Sequence, residues 1–290
     1  MTLSAMPLNV VRTHGPLGAQ IGGVDLSKPL ERTTAQEIVE LWLKHLVLVF
    51  RNQTLDDAAL VAFSARFGRL EKAPIVEKTG GMAHVPRLPE VAVVSNVREN
   101  GVAIGALGDG ELSWHSDMTY IDTPPPASIL YGIEVPAVGA DTWFNNMYLA
   151  YDTLPEALKL RIAGLKARHN SSYTSAGTLR RGFDDVVDPS TAPGAVHPMV
   201  IQHAATGRKA LYLGRRLNAH IVGMSLPESE TLLDSIWAHV VKPDFSFAHK
   251  WQRGDVVMWD NRCVMHRRDA FDPSARRVLH RTQLLSFEAN

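Results

Sequence analysis

Ser113-Trp114-His115-Ser116-Asp117-Met118-Thr119-Tyr120 and Ala127-Ser128-Ile129-Leu130-Tyr131-Gly132-Ile133-Glu134 are separated by a linker ending Thr123-Pro124-Pro125-Pro126. Both octapeptides read as strands, rich in β-branched and aromatic residues. Proline lacks an amide hydrogen and fixes φ, so the proline run between them forms a turn or extended loop. Further strands are predicted at 46–50, 91–95, 141–145, 196–203, 209–213, 245–249, 255–259 and 277–287. Thr34-Ala35-Gln36-Glu37 reads as a capping box opening a helix to Leu43. A second helix starts at Thr54, buries Leu55, Leu60, Phe63 and Phe67, and stops at Gly68. Helical patterns also cover 149–165, divided at Pro155, and 228–240. Many short strands with helices packed outside predict a mainly β fold with flanking helices, a double-stranded β-helix or jelly roll, as a single domain over 1–290.

Bulk composition removes several functional classes. Lys+Arg and Asp+Glu are both 30, so the net charge is zero. A nucleic-acid or anionic-membrane surface needs a basic excess. One cysteine, Cys263, excludes an internal disulfide and a cysteine-based zinc site within the chain. No basic start precedes a long apolar run, and the apolar stretch at 46–50 is too short to span a bilayer. A cytoplasmic location is therefore expected, and the matches to the glycosylation pattern at Asn52 and Asn170 are read as chance. Gly105-Ala106-Leu107-Gly108-Asp109-Gly110 has the wrong spacing for a dinucleotide fingerprint. A glycine-rich loop just before His115 is read as either a lid or an ordinary surface loop. Residues 168–193 form a second long loop, of a length associated with function or disorder.

On a strand, residues i and i+2 face the same side, so His115 and Asp117 can bind one metal ion together while Ser116 points away. A third ligand must come from a distant strand, and His266 is the candidate. Two histidines and one carboxylate are the ligand set of a non-haem iron(II) site, with open positions for dioxygen and a 2-oxoacid. With 12 histidines in the chain, one His-x-Asp is expected by accident, so the spacing alone carries little. Arg277 and Arg281 lie four residues apart on one predicted strand and face the same way. Two inward guanidinium groups need anions between them, and two anionic molecules would meet that need.

The surrounding sequence resembles the taurine/2,4-dichlorophenoxyacetate dioxygenase family. The segments that carry the resemblance are Trp114-His115-Ser116-Asp117, Gly139-Ala140-Asp141-Thr142, Gly254-Asp255-Val256-Val257-Met258-Trp259-Asp260-Asn261-Arg262-Cys263 leading to His266, and Phe271 through Thr282. The similarity runs through most of the chain, including Gly22-Gly23-Val24-Asp25-Leu26 and Leu48-Val49-Phe50-Arg51. It implies an iron(II)- and 2-oxoglutarate-dependent dioxygenase that uses O2 and releases succinate and carbon dioxide as it hydroxylates a small anionic substrate. His115, Asp117 and His266 would be the iron ligands. Arg277 and Thr142 would hold the far carboxylate of 2-oxoglutarate, and Arg281 the substrate anion. A guanidinium grips a carboxylate in two parallel bonds and keeps its charge. By the same resemblance His84 is a second substrate contact, with an exposed loop histidine the nearly equal reading. The resemblance also implies a homo-oligomer.

Asn96, just after the 91–95 strand, either lines the pocket or is a strand-end residue. Trp114 and Trp259 are expected to pack beside the metal, and Cys263 to be a small buried side chain. The C-terminal motif is closer to the phenoxyacetate-type members, which favours a carboxylate such as an aryloxyalkanoate, cleaved at a C–O bond. A sulfonate or sulfate ester is the alternative, since an arginine serves any of these anions. A non-oxidative metalloenzyme on the same roll and a non-catalytic anion binder are the remaining readings.

Overall fold

Val47–Phe50 is apolar at every position because both of its faces are covered. Val47 and Val49 point into one hydrophobic cluster, Leu48 and Phe50 into another. The same alternation divides Val257 and Trp259 from Val256 and Met258, and Leu130 from Ile129. A strand buried on both faces loses the polar alternation that usually marks it. These strands belong to an eight-stranded sheet in the computed structural model, which describes residues 8–72 and 88–287.

The order in that sheet is Asn9–Arg12, Ala19–Gly22, Val47–Phe50, Val256–Asp260, Ala127–Glu134, Val278–Gln283, Ala92–Ser95, Ala106–Leu107. Its outer face packs on the helices Arg32–His45 and Asp57–Ser64 through Ile38, Trp42, Leu60 and Phe63. Its inner face packs on a four-stranded antiparallel sheet ordered Ser246–His249, Thr142–Asn146, Val264–Arg268, Leu112–His115. Phe144 and Val264 of the smaller sheet share a cluster with Leu130, Val257 and Leu279 of the larger one. The helix Leu226–Val240 covers the other side of the smaller sheet, where the Asn145 side chain donates to the Val240 carbonyl at 2.7 Å. The fold is thus mostly β with few helices. Among the described residues no helix is long and apolar enough to cross a membrane.

Several local expectations shift. The first helix begins at Arg32 with Glu31 at its N-cap, so Thr34 lies inside the helix and caps nothing. The second begins at Asp57, where the Asp56 carboxylate accepts from the Ala59 amide at 2.7 Å, a bond that Thr54 does not make. The predicted helix at 149–165 is two short ones, Met147–Asp152 and Glu156–Ile162, divided at Pro155 as expected. The predicted strand at 113–120 ends at His115. The chain then turns, with Met118 at φ 51° and the Ile121 amide bonded to the Met118 carbonyl at 3.0 Å. The strand Val264–Arg268 was not foreseen, because Val-Met-His-Arg-Arg carries three polar residues in five. It is central to the smaller sheet, and two of those polar residues point into the site.

Candidate metal centre and its cavity

His115 and His266 stand directly opposite one another on neighbouring antiparallel strands, their ring centroids 4.2 Å apart. Asp117 follows the end of the His115 strand, and the turn brings its carboxylate back toward both rings. Its Oδ1 lies 3.8 Å from His115 Nε2 and 3.9 Å from His266 Nε2. Two donor atoms on one ion, with bonds of roughly 2.0–2.2 Å, can be at most about 4.4 Å apart. Both distances lie inside that limit, and the three ligand atoms all lie within 4.8 Å of one another, a spacing suited to holding one divalent ion.

The hydrogen bonds behind the cluster aim its lone pairs. His115 Nδ1 bonds the Ser113 carbonyl at 2.7 Å, so that nitrogen carries the proton and Nε2 is free to ligate. Asp117 Oδ2 accepts from Ser128 Oγ at 2.6 Å and from Gln283 Nε2 at 3.2 Å, leaving Oδ1 toward the rings. Ser128 Oγ in turn accepts from Asn261 Nδ2 at 3.0 Å, and Trp259 Nε1 donates to Asn261 Oδ1 at 2.8 Å. Trp259 also packs on His266, with centroids 4.8 Å apart. Ser116, turned away as the sequence implied, donates to the Val264 carbonyl at 3.0 Å and tethers the two strands.

Burial fixes the protonation states. It pushes the His115 pKa down to about 3, with the His266 charge adding to the effect, and it lowers His266 as well. Both imidazoles are therefore neutral at pH 7. Burial alone would raise the Asp117 pKa, but the charges of His266, Arg281 and His115 and the Ser128 hydrogen bond outweigh it and hold it below its ordinary value. With both imidazoles neutral, the Arg281 cation, whose Nη1 is 3.7 Å from Asp117 Oδ1, and the Ser128 bond still keep the carboxylate ionised. Neutral imidazoles beside an ionised carboxylate are the donor states a divalent metal requires.

The cluster opens on a cavity of about 390 Å³, a size suited to small molecules. Thr142, Arg277 and Arg281 all line it. Thr142 Oγ1 accepts from Trp251 Nε1 at 2.9 Å, and the Arg277 guanidinium sits 5.9 Å from the Trp251 ring. Arg277 is 2% exposed, its Nε has no hydrogen-bond partner, and no carboxylate among the described residues pairs with it. Its pKa is driven down by burial and by the nearby Arg268 cation.

Other expected positions fall differently. Asn96 does not line the cavity. Its Nδ2 donates to the Ala275 carbonyl at 2.8 Å and its Oδ1 accepts from the Arg277 amide at 3.0 Å, so it braces the approach to the Arg277 strand. Trp114 is half-buried under the Arg267 guanidinium, 5.5 Å from its ring, and takes no part in the cluster. Trp259 and the fully buried Cys263 pack as expected. His84 lies outside the described residues.

Other residues lining or supporting the site escaped the sequence reading. Gln283 was legible, being two residues beyond Arg281 on the same strand face. Arg268 shares a face with His266 in the same way. Its Nη2 donates to the Leu107 carbonyl at 3.0 Å and also to the Gly110 carbonyl, which pins the glycine-rich loop onto the cavity wall. That loop is latched rather than free. Ser128 and Asn261 gave no signal beyond a small polar residue in or beside a strand, and Arg180 and Arg215 come from loops with no periodicity.

Residues 10–283 match the taurine catabolism dioxygenase TauD, TfdA family. The chain is 34% identical to the alpha-ketoglutarate-dependent 2,4-dichlorophenoxyacetate dioxygenase of Cupriavidus pinatubonensis, over 98% of each chain. It is 32% identical to the pentalenolactone F synthase of Streptomyces arenae, over 91% of this chain and 90% of that one. Among solved structures, AAD-2 in complex with Mn(II) and N-oxalylglycine superposes with a TM-score of 0.79 at 31% identity, covering 98% of this chain and 99% of its own.

Proposed function

The chain belongs to the TauD, TfdA family and is an iron(II)- and 2-oxoglutarate-dependent dioxygenase, and from that premise we propose that His115, Asp117 and His266 hold the iron, Arg277 and Thr142 hold 2-oxoglutarate, and Arg281 holds the anion of a small organic acid. The observation that carries the reading is the Arg277 side chain. An unpaired guanidinium in a dry interior is costly, by several kcal/mol or more. The far carboxylate of 2-oxoglutarate supplies the missing charge, and the Thr142 hydroxyl adds a hydrogen bond at one of its remaining lone pairs.

When bound, the iron supplies the oxidising chemistry, using dioxygen and 2-oxoglutarate, with succinate and carbon dioxide released. The chain's own residues orient and screen. Ser128, Gln283 and the Ser113 carbonyl fix the ligands' donor atoms. Trp259 and Phe144 keep the His266 side dry. The pinned 105–110 loop closes one wall and limits water at the reacting carbon.

The favoured substrate is a carboxylate of the aryloxyalkanoate type, hydroxylated at the carbon next to oxygen so that the product loses its C–O bond. A sulfonate or sulfate ester is the second reading, because Arg281 accepts any of these anions. Relatives of similar identity carry different activities in their names, so overall similarity does not choose the substrate. We further propose that the two facing sheets form a double-stranded β-helix, that 1–290 is one domain, and that the protein works in the cytoplasm as a homo-oligomer. The test is a screen of small carboxylates, sulfonates and sulfate esters for 2-oxoglutarate-dependent succinate release. Alongside it, 2-oxoglutarate added to the anaerobic iron(II) protein should give a weak visible charge-transfer band. Absence of that band would favour a non-oxidative metalloenzyme.

A further inference from the structure

The charges lining the cavity do not balance. Among the described residues five arginines line it, Arg180, Arg215, Arg268, Arg277 and Arg281, against three carboxylates, Glu71, Glu90 and Asp117. The neutral histidines add nothing. A ferrous ion and a dianionic 2-oxoglutarate cancel one another, so the described residues of a loaded site still leave two positive charges over. Arg281 already faces Asp117 at 3.7 Å and lies within electrostatic range of Glu71. Arg180 and Arg215 have no carboxylate partner among the described residues.

These two arginines stand together. The Arg180 guanidinium carbon lies 4.0 Å from the centroid of the Tyr120 ring and that of Arg215 lies 5.6 Å from it. Both donate to the Tyr173 carbonyl, Arg215 through Nη1 at 2.6 Å and Arg180 through Nε at 3.3 Å, and Arg215 Nη2 reaches the Asn170 carbonyl at 3.1 Å. Arg215 follows Gly214, whose φ of +65° and contact with the His169 ring leave no room for a Cβ. The pair is therefore set in place by backbone, with donors left over, since each guanidinium carries five N–H bonds. Two cations held side by side without a counter-ion repel one another and call for an anion. The hydroxyl-bearing Thr174 and Ser175 also line the cavity.

We propose that Arg180 and Arg215 form a second anion subsite, so that the preferred substrate carries two acidic groups, one for Arg281 and one for this pair. This rests on the substrate-site reading above and sharpens it from a small acid to a diacid. Carboxylate, sulfonate and sulfate groups all satisfy the chemistry. A monoanionic substrate leaves the cation pair without a counter-charge, whereas a diacid offsets the two positive charges left over among the described residues.

The test is calorimetric titration of the anaerobic iron(II) and 2-oxoglutarate complex with matched ligands: aryl and straight-chain dicarboxylates and their half-amides, which share shape but carry one charge. Disulfonates and mixed carboxylate-sulfates distinguish the anion classes. The native protein should bind the best diacid about tenfold or more tightly than its half-amide. Arg180→Gln and Arg215→Gln should each bring that ratio down to about two, with half-amide and 2-oxoglutarate affinities nearly unchanged. A native ratio near one overturns the proposal, as does a ratio that survives both substitutions or an equal loss of diacid and half-amide. If Arg215→Gln does not fold, the half-exposed Arg180 position decides alone. Failure of 2-oxoglutarate to bind would count against the cosubstrate reading instead, and the diacid ratio on the iron(II) protein would still judge this subsite.

Discussion

Replacing Ser128 with alanine removes one hydroxyl from the support of Asp117 and little else. Ser128 is fully buried, and its Oγ donates to Asp117 Oδ2 at 2.6 Å while accepting from Asn261 Nδ2 and Gln283 Nε2, both at 3.0 Å. Both amide donors keep a second acceptor in the variant, Asn261 the Pro125 carbonyl at 3.1 Å and Gln283 the Asp117 carboxylate at 3.2 Å. The loss therefore falls on the carboxylate. A hydrogen bond to a buried charge contributes about 1.5–3 kcal/mol. Loss of a partner that orients a metal ligand weakens metal binding by roughly 10–100-fold, which is about 1.4–2.7 kcal/mol. The two estimates agree. Ser128→Ala should thus weaken iron(II) or cobalt(II) binding about 10–100-fold in an anaerobic competition titration. Ser116→Ala is the control, since that hydroxyl bonds only the Val264 carbonyl at 3.0 Å, and it should leave metal affinity within about threefold, well under the cost of a charged bond. Native metal affinity in Ser128→Ala, or an equal loss in Ser116→Ala, would refute the proposed role of this hydroxyl.

Three further outcomes follow from the geometry. Arg277→Ala should weaken 2-oxoglutarate binding by about 100-fold or more while iron(II) affinity changes little, measured by the charge-transfer band; equal loss of both would make the arginine structural. Arg281→Ala should raise the substrate KM and spare 2-oxoglutarate affinity, and the reverse pattern in steady-state kinetics would exchange the two assignments. His169, 2% exposed with neither ring nitrogen bonded, has its pKa pushed down to about 3, first by burial and then by His197 and Arg215. Below pH 6.5 the unfolded chain binds a proton there and the folded chain does not, so stability falls as pH falls from 6.5 toward 3. At pH 5 this amounts to about 2 kcal/mol. Urea unfolding of the metal-free protein from pH 7 to 5 should show a shallower decline in His169→Leu, and an unchanged slope would rule the residue out as a main source of acid sensitivity.

How much of this was legible follows from what each signal depends on. The Ala127–Glu134 strand matches its predicted bounds to the residue, because its turn is written in three consecutive prolines. The helix Leu226–Val240 begins two residues before the sequence pattern predicts, although its capping box of Ser225 and Glu228 is present in the structure. The Thr34 box has the same pattern and does not form, since the helix already started at Arg32 and left Thr34 no free amide to cap. Asp117 was paired with His115 by strand alternation. It lies past the strand's end and reaches the same place through the turn at Met118, closed by the Ile121 amide on the Met118 carbonyl. The Val264–Arg268 strand was missed because buried polar residues break the hydrophobic alternation on which strand reading rests.

The sequence alone determined residue type and side. It held two imidazoles, a carboxylate and a row of arginines on alternating positions, and local stereochemistry set which way His115, His266 and Arg281 faced along their strands. Only the tertiary structure decided distance. Antiparallel pairing put His266 opposite His115. The packing of two sheets brought Ser128 and Gln283 behind Asp117, and the loops carried Arg180 and Arg215 to the far wall. Those juxtapositions arise from burying the shared apolar face between the sheets. Such burial is a non-directional force acting between segments from about ten to more than 150 residues apart, and no local pattern in the chain records it.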